Sequence, residues 1–260
     1  MKISVITVVY NGEKEIDKTI LSIINQTYKK IEFIIIDGNS KDNTVKIVNK
    51  YINKINYFVS EIDEGIYDAM NKGLKKVTGD FVIFMNAGDM FYNSETIERF
   101  INQIVSKDKV YFGRAKVIDN DSVWLYPSRE VTNNNIGLWL KHNLPNHQAM
   151  FFPRSFYQLY SYNTSYKIGS DSDYKFQSQK DSGFVFIDDI ICEFEFGGVS
   201  SVFTSFKVVK QILKDSWRIS LKHQGLIYAI TRQIKIISKY VINILFGNSI
   251  LKQLINKYRK

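Results

Sequence analysis

Strand-like and helix-like segments alternate through the first 90 residues, and this alternation restricts the possible folds more than any other feature of the sequence. The chain opens with Ile3–Val9, a continuous apolar run rich in β-branched residues, which is typical of a strand buried on both faces. Isoleucines then recur at helical spacing within residues 14–27. Further strands are predicted at 31–36, 57–60 and 81–85, and further helices at 44–52 and 66–76. This order predicts an α/β fold built on a parallel sheet with right-handed crossovers.

Each of these four predicted strands runs into a polar loop. The loops are Tyr10-Asn11-Gly12, residues 37–44, residues 61–65 and residues 86–89. The carboxyl ends of parallel strands meet at one edge of a sheet, and ligands of such sheets bind beyond that edge. The four loops therefore predict a pocket.

Beyond residue 105 the pattern is mixed. Strands are predicted at 110–118, 123–126, 149–152, 184–187 and 191–196, and helices at 136–141 and 171–179. The pair Gly197-Gly198 ends the last of these strands, and from residue 201 the pattern is helical and basic.

Composition and missing motifs exclude several classes of protein. The single cysteine, Cys192, excludes a disulfide framework and a cysteine-based zinc cluster, and three scattered histidines argue against a histidine-rich metal site. The dinucleotide-binding, P-loop, metalloprotease and nucleophile-elbow motifs do not occur. The opening apolar run meets Asn11 and Glu13 too early for a signal peptide, and no stretch of about 18 uncharged apolar residues suggests a membrane span. We therefore expect the protein to stay inside the cell, with its chemistry resting on carboxylates in loops.

Four segments carry a resemblance to a known family. ISVITVVYN, IIIDGNSKDNT, EIDEGIYDAMNKG and GDFVIFMNAGD resemble, in order and spacing, the motifs of family 2 glycosyltransferases. The resemblance covers roughly residues 1–200. Within the family, the chain most resembles bacterial enzymes that build surface polysaccharides. This resemblance implies a GT-A fold, with a nucleotide-binding half at 1–105 and an acceptor half at 106–200. It also implies transfer of a sugar from a nucleotide-sugar, with UDP favoured by family habit, to a hydroxyl of a lipid-linked or oligosaccharide acceptor.

The resemblance assigns the nucleotide base to the ends of the first two strands. Asp37 is expected to accept a hydrogen bond from the N–H of uracil, although an Asp before a Gly is also a common turn residue. Tyr10 and Asn11 are expected to line the same pocket, and Asn11 would alternatively shape the turn. The polar residues 40–44 would equally well cap the following helix.

The third loop and its helix are expected to face the sugar and diphosphate of the donor. By resemblance, Asp63, Asp68 and Asn71 take this role. Many relatives have an arginine where this chain has Met70, so Lys72 is expected to supply the cationic contact with phosphate. The alternative is that Asp68 and Lys72 form a surface ion pair across one helical turn.

The fourth loop is expected to hold Mg²⁺ or Mn²⁺ at the diphosphate. Many family members have two or three carboxylates there, whereas Asn86-Ala-Gly-Asp89 retains one. Asp89 is therefore the expected metal ligand, directly or through water, with Asn86 against the nucleotide sugar. The alternative is a turn that merely closes the strand.

The resemblance places a general base at the start of the polar helix after residue 168. Asp171 matches the family's acidic position best, and Asp173, two residues on, would point elsewhere. Ser170 or Asp171 would alternatively cap the helix. One base without a nucleophilic carboxylate implies a single displacement with inversion at the anomeric carbon. His147-Gln148 resembles a His-Gln pair of close relatives, and His147 is expected to contact the diphosphate or the acceptor, although a lone histidine beside a strand is more often structural.

Charge separates the end of the chain from the rest. Residues 201–260 contain 12 of the 35 Lys/Arg and one of the 26 Asp/Glu, which leaves 23 basic and 25 acidic residues before them. Basic residues and isoleucines repeat at helical spacing through 207–245, which is typical of a helix on an anionic membrane surface. We expect a basic helical tail at 201–260 that places the protein on the cytoplasmic face of the cell membrane. The alternative is a helix packed on the body with a solvated basic edge.

Two other functions are alternatives to glycosyl transfer. Binding to nucleic acid would explain the basic tail but not the acidic loops, and no recognition motif for nucleic acid is present, so none is expected as a partner. A sugar nucleotidylyltransferase would carry a glycine-rich, basic first loop, whereas this loop contains Glu13. The oligomeric state is left open.

Overall fold

The computed structural model describes residues 1–119, 122–195 and 205–257, with side chains described up to residue 245 in the last segment. The strands in these ranges are β1 Ile3–Val9, β2 Ile31–Asp37, β3 Tyr57–Ser60, β4 Phe81–Phe84, β5 Met90–Phe91, β6 Val110–Asp119, β7 Ser122–Tyr126, β8 Met150–Pro153 and β9 Phe184–Glu195. The helices are α1 Ile16–Ile24, α2 Thr44–Asn49, α3 Ile66–Leu74, α4 Thr96–Ile101, α5 Ile136–Leu140, α6 Arg154–Tyr157, α7 Ser170–Ser182, α8 Phe206–Gln224 and α9 Leu226–Lys257. Short 3₁₀ turns occur at Ile52–Lys54 and His147–Ala149.

The first four strands form a parallel half-sheet, as predicted. Within the described residues the sheet runs in the order β3-β2-β1-β4-β8-β6-β9-β5, with β7 paired to β6. Val9 lies opposite Asp37, and Asp37 lies opposite Ser60, so the carboxyl ends of β1, β2 and β3 are level. Every residue of β1 is buried, and its side chains alternate between the two faces of the sheet. This register brings the predicted polar loops to one edge.

Beyond β4 the sheet becomes mixed. β8 is antiparallel to both β4 and β6, β5 is antiparallel to β9, and β6 and β9 are parallel. The two strands predicted at 184–187 and 191–196 are one strand, Phe184–Glu195, whose register against β6 shifts on either side of Arg114. At this irregularity Arg114 Nη2 lies 2.7 Å from Asp188, and a Cβ on Gly113 would lie 2.7 Å from the Asp189 carbonyl oxygen. The acidic pair that looked like a break is therefore accommodated by a bulge.

Glu32 fastens the edge of the sheet opposite the polar loops. Its carboxylate accepts hydrogen bonds from Lys2 Nζ (2.7 Å), from the hydroxyls of Ser4 (2.6 Å) and Thr78 (2.5 Å), and from Thr78 N (2.8 Å). Burial acts to raise the pKa of Glu32, but these hydrogen bonds outweigh burial and hold the pKa at about 2. The amino-terminal ends of β1 and β2 are thereby tied to the turn before β4.

The carboxyl-terminal helices pack on the rest of the molecule. α8 lies against α7, and α9 folds back along α8 after Gly225, whose φ of +86° permits the reversal. Gln233 Nε2 of α9 donates to the Leu213 carbonyl oxygen of α8 at 3.1 Å. Within the described ranges, none of the helices combines the length and apolar character that a membrane crossing requires. The predicted strand end at Phe196, the pair Gly197-Gly198 and residues 258–260 lie outside the described residues.

Candidate active site

Asp37 lies at the centre of the loops that follow β1 and β2. It is fully buried, and its carboxylate accepts from Ser40 N at 3.0 Å, from the Ser40 hydroxyl at 2.5 Å and from the Ser60 hydroxyl at 2.5 Å. The Tyr10 side chain, at the end of β1, is 64% exposed. Asp37 thus holds together the loops after β2 and β3, which is the turn role that the sequence analysis gave as the alternative.

Asn11 joins the loops after β1 and β2 into one rim. Its side-chain oxygen accepts from Lys41 N at 2.8 Å, and its backbone N–H donates to Ser40 Oγ at 2.7 Å. Asn11 and Asn39 both have positive φ, +48° and +63°, a conformation that asparagine tolerates better than most residues. Asp42 completes the rim, since it accepts from Thr44 N at 3.0 Å at the start of α2.

Asp63 folds back over the end of β2. A Cβ on Gly38 would lie 2.6 Å from Asp63 Oδ2 and 3.4 Å from the Tyr10 ring, so the absence of a side chain at Gly38 lets both approach. Asp63 Oδ1 accepts from Gly65 N at 2.9 Å, and Gly65 has a φ of +115°. Tyr10, Gly38 and Asp63 therefore form one wall at the carboxyl edge of the sheet.

Helix α3 begins beside this wall. Lys72 Nζ lies 3.0 Å from Glu61 Oε1 and 3.5 Å from Asp68 Oδ2, and it donates to the Ile62 carbonyl oxygen at 2.8 Å. Burial acts to lower the pKa of Lys72, but Glu61 and Asp68 outweigh it and raise the pKa above its ordinary value. The ion pair that the sequence offered as an alternative is thus present.

Asn71 connects α3 to the segment that precedes α7. Its Nδ2 donates to the Tyr162 carbonyl oxygen, and its Oδ1 accepts from Tyr162 N, both at 2.8 Å. The amide is therefore fully engaged with the backbone of one residue 91 positions away. Asn71 fixes the segment before α7 to the helix that follows the third loop.

Asp89 and Asn86 lie on the loop after β4. Asp89 is 6% exposed; burial raises its pKa to about 8, against a hydrogen bond from Gln148 that acts to lower the pKa. In the described part of the chain Asn86 Oδ1 is buried without a hydrogen-bond partner. At this pKa the Asp89 side chain is largely protonated at neutral pH, and it would lose its proton on binding a cation. The resulting carboxylate and the Asn86 amide oxygen are the kinds of hard oxygen donor that Mg²⁺ and Mn²⁺ take.

These two oxygens fit a divalent cation only as part of its coordination shell. No cluster of three or more His, Cys, Asp or Glu side chains suited to a metal occurs among the residues that the structure describes. The remaining ligands would have to come from a bound diphosphate and water, which is how magnesium sites with few carboxylates are commonly completed.

His147 lies in an aromatic cluster with Phe84, Phe152 and Tyr162. Its Nε2 is 2.6 Å from the Tyr162 hydroxyl, and its ring centroid is 5.0 Å from that of Phe84. Burial lowers the pKa of His147 to about 3, so the imidazole is neutral at neutral pH. The next residue, Gln148, is the one that bonds Asp89. His147 is thus one residue from the Asp89 loop, and it has the buried, hydrogen-bonded surroundings of a structural histidine.

Asp171 occupies the first turn of α7, which begins at Ser170. Its Oδ2 lies 3.0 Å from Lys175 Nζ, and its Oδ1 accepts from the Tyr67 hydroxyl of α3 at 3.3 Å. The side chain is 31% exposed. Burial acts to raise the pKa of Asp171, but Lys175 outweighs it and keeps the pKa below its ordinary range. Asp171 is therefore ionised at neutral pH and accessible from solvent.

Asp173 faces a different partner from Asp171. Its Oδ1 lies 2.7 Å from His223 Nε2 and 2.9 Å from Lys222 Nζ, both on α8. Two residues turn a helix by about 200°, so the two carboxylates point to opposite sides of α7. The two acids therefore have separate surroundings, in agreement with the prediction that Asp173 points elsewhere on the helix.

Sequence reasoning missed the partners of these carboxylates. The four-residue spacing of Asp171 and Lys175 is a signal that the sequence does contain, because such pairs meet on a helix surface. Tyr67 and Gln148 reach their carboxylates only through tertiary packing, and no local pattern indicates them.

The chain is similar in sequence to known glycosyltransferases. The model of the family described as glycosyl transferase family 2 matches residues 4–173. An uncharacterised glycosyltransferase of Mycobacterium tuberculosis is 30% identical over 207 residues, which cover 76% of this chain and 77% of that protein. The PGL/p-HBAD biosynthesis glycosyltransferase of Mycobacterium bovis is 27% identical over 201 residues, covering 74% and 76%.

Two solved structures show the same fold. S. aureus TarS, residues 1–349 in complex with UDP-GlcNAc, superposes with a TM-score of 0.66 and 19% identity, covering 96% of this chain and 74% of that one. The mannosyltransferase PcManGT from Pyrobaculum calidifontis, in complex with GDP-Man and Mn²⁺, gives a TM-score of 0.59 at 15% identity and covers 98% and 79%.

Proposed function

The chain belongs to glycosyl transferase family 2 and has the GT-A fold, so it is a glycosyltransferase. We propose that it uses a UDP-sugar as donor and inverts the configuration at the anomeric carbon. The acceptor is a hydroxyl of a lipid-linked or oligosaccharide intermediate in the synthesis of a bacterial surface polysaccharide. The one observation that carries this proposal is the place of Asp171, an ionised and partly exposed carboxylate where α3 of the nucleotide half meets α7.

The base of the donor is proposed to lie against Tyr10, over the rim that Asn11 and Asp37 hold together. The 64% exposure of Tyr10 leaves its ring face available for stacking on a pyrimidine. Both Asp37 oxygens already accept hydrogen bonds, so a contact with a base N–H would be shared with Ser40 or Ser60. The UDP-GlcNAc complex of TarS supports UDP as the nucleotide.

The diphosphate is proposed to lie between Asp63, α3 and the loop after β4. Asp68 faces this side, and Lys72 would contact phosphate by exchanging its ion pairs with Glu61 and Asp68 for the ligand. Asn71 is proposed to act on the donor indirectly, because its amide holds the backbone of Tyr162. His147 is proposed to act through the same residue, because its ring contacts the Tyr162 hydroxyl.

Asp89, with Asn86, is proposed to hold Mg²⁺ or Mn²⁺. The support is the buried Asp89 carboxyl group and, on the same loop, the buried Asn86 side-chain oxygen, which lacks a hydrogen-bond partner in the described residues. When bound, the cation would neutralise charge that develops on the departing diphosphate.

Asp171 is proposed as the general base. The acceptor oxygen attacks the anomeric carbon while its proton passes to the Asp171 carboxylate, and the bond from that carbon to the β-phosphate oxygen breaks. The electron pair of the broken bond leaves with UDP. One displacement without a covalent intermediate inverts the configuration.

Asp171→Asn tests this assignment. The variant should lose about 10²–10⁴-fold in transfer rate, since a general base contributes that much, while the Kd for UDP stays near wild type. Asp181→Asn is the matched control, because Asp181 is an exposed acid on the same helix, away from Tyr67. Wild-type turnover in Asp171→Asn would remove Asp171 from the role of base.

We propose, in addition, that α9 rests on an anionic membrane. Its exposed apolar residues recur at steps of three and four and form a stripe on one face of the helix. The stripe consists of Ile227, Ile230, Ile234, Ile237, Val241 and Ile244. By helical spacing, exposed Arg232 and Lys235 lie on a different face of the helix from the stripe, and α9 packs on α8 through Ala229 and Ile236. The charge complements anionic lipid, at about 1 kcal/mol for each nearby Lys or Arg.

Liposome flotation tests the membrane proposal. The full chain should float with vesicles that contain anionic phosphatidylglycerol and not with purely zwitterionic vesicles. Ile234→Asp should abolish flotation, while Ile62→Asp, which changes a still more exposed isoleucine far from α9 in sequence, should not. Failure of the wild-type chain to float with anionic vesicles would contradict the proposal.

A further inference from the structure

We propose that α8 is part of the catalytic apparatus, because it positions the helix that carries Asp171, and that Asp215 is its principal positioning residue. The inference rests on the proposed role of Asp171 as base. It gives α8 a function that neither charge nor membrane attachment explains.

Asp215 is the single acidic residue among residues 201–260, and it is buried to 1% exposure. Its Oδ2 accepts hydrogen bonds from the backbone N–H groups of Lys167 (2.8 Å) and Ile168 (3.0 Å). Its Oδ1 accepts from Gln211 Nε2 at 2.8 Å. A buried carboxylate is costly unless it is satisfied, and this one is satisfied by the two amides that lie three and four residues before Asp171.

One face of α8 is directed at the segment 165–173. Arg218 lies 4.6 Å from the Tyr166 ring centroid and donates to Ser165 Oγ at 3.3 Å. A Cβ on Gly169 would lie 2.9 Å from Ile219 Cδ1. The positions of this face recur at helical spacing: Gln211, Asp215, Arg218, Ile219, Lys222 and His223. The basic residues expected to serve the membrane are therefore divided, since Arg218 and Lys222 contact the body instead.

The first turn of α7 is held from both sides. On one side Asp173 bonds Lys222 and His223 of α8, and the Phe176 ring stacks on His223 with centroids 5.3 Å apart. On the other side Asp171 accepts a hydrogen bond from the Tyr67 hydroxyl of α3. Because Asp171 lies between these attachments, the position of its carboxylate depends on α8. A displacement of about 1 Å at a reacting group can cost on the order of 10²-fold in rate.

Substitution of Asp215 tests the inference. Asp215→Ala removes the acceptor for Lys167 N and Ile168 N, so both amides should exchange hydrogen faster. The transfer rate should fall at least about tenfold, while the Kd for UDP stays within about twofold of wild type. Asp215→Asn should restore most of the rate, because its oxygen can serve the amides and a flipped Gln211 can accept from its NH₂.

Gln233→Ala provides the control. It loosens α9 on α8 through the lost bond to the Leu213 carbonyl oxygen, and it leaves the face toward 165–173 intact. Its transfer rate should stay near wild type. If Asp215→Ala does not fold, Arg218→Ala and Asp173→Asn carry the test with the same measurements.

Two results would overturn the inference. One is a wild-type transfer rate in Asp215→Ala although the two amides exchange faster. The other is a loss of UDP affinity as large as the loss of rate, which a general structural defect would produce. The base assignment fails separately, through an active Asp171→Asn, and the exchange and rescue results would then still report whether α8 positions α7.

Discussion

Replacing Glu32 with Gln removes a buried negative charge at the sheet edge opposite the active site. The carboxylate accepts from Lys2, Ser4 and Thr78, and its side chain is 9% exposed. Gln keeps the shape but turns an NH₂ group toward some of these donors. The folded-state pKa of about 2 lies about 2.5 units below the ordinary 4.5, and each unit is worth 1.36 kcal/mol.

This difference in pKa corresponds to about 3 kcal/mol in the free energy of unfolding at neutral pH. Because Lys2 is 45% exposed and its charge is partly screened by solvent, we expect Glu32→Gln to lose about 2–3 kcal/mol. For a chain of this size the loss lowers Tm by roughly 5–10 °C. A carboxylate with a lowered folded pKa contributes its stability above the unfolded pKa, and that stability is lost as pH falls through the folded pKa. The difference in the free energy of unfolding between wild type and Glu32→Gln should therefore become smaller as pH falls from about 4.5 to about 2.

Urea unfolding at about pH 7 and about pH 4 measures both quantities. Glu130→Gln, at an exposed glutamate, is the matched control and should change the free energy of unfolding by less than about 0.5 kcal/mol. UDP affinity should be unchanged in Glu32→Gln, since the substitution lies at the far edge of the sheet. A gap below about 0.5 kcal/mol at neutral pH, or a gap that does not narrow in acid, would refute the assignment of this network.

Three further predictions concern the site itself. Lys175→Met removes the cation that lowers the pKa of Asp171, so the acid limb of the kcat/KM profile should move to higher pH; an unmoved limb would separate Asp171 from catalysis. Gly38→Ala introduces a Cβ 2.6 Å from Asp63 Oδ2, so calorimetry should show weaker UDP binding with little change in Tm, and unchanged binding would place Asp63 away from the donor. Asp89→Ala should weaken Mn²⁺-dependent binding of UDP more than binding of uridine, and equal losses for both would mean that Asp89 only shapes its loop.

The parallel half of the fold could be predicted from the sequence because its information is local. β1 has the predicted bounds, Ile3–Val9, since a strand covered on both faces is a continuous apolar run. The four polar loops follow directly from the ends of such runs. The motifs in these loops identified the family and the fold class, and the comparisons confirmed both.

The mixed part of the sheet, beyond β4, could be predicted less well because its geometry depends on distant partners. The interruption at Asp188 and Asp189 looked like a loop, yet Arg114 and Arg99 neutralise these carboxylates and β9 continues through them. A pattern of alternating residues cannot show a charge that is paired with an arginine some 75–90 positions away. The same limit applies to Tyr67, whose bond to Asp171 spans 104 residues.

The change in charge near residue 200 predicts two parts of the chain with different functions. The structure shows that Asp215, the acidic residue of the basic segment, contacts the preceding part. A helix whose only task was to lie on an anionic membrane would gain nothing from Asp215, because a negative charge there opposes the attraction. Buried against Lys167 N and Ile168 N, the same residue instead ties α8 to the helix that carries Asp171. The exposed cations and apolar stripe face away from the body, while the inward face of α8 serves the catalytic half. A truncation at residue 200 would thus remove the helix that contacts residues 165–168, together with the proposed membrane contact.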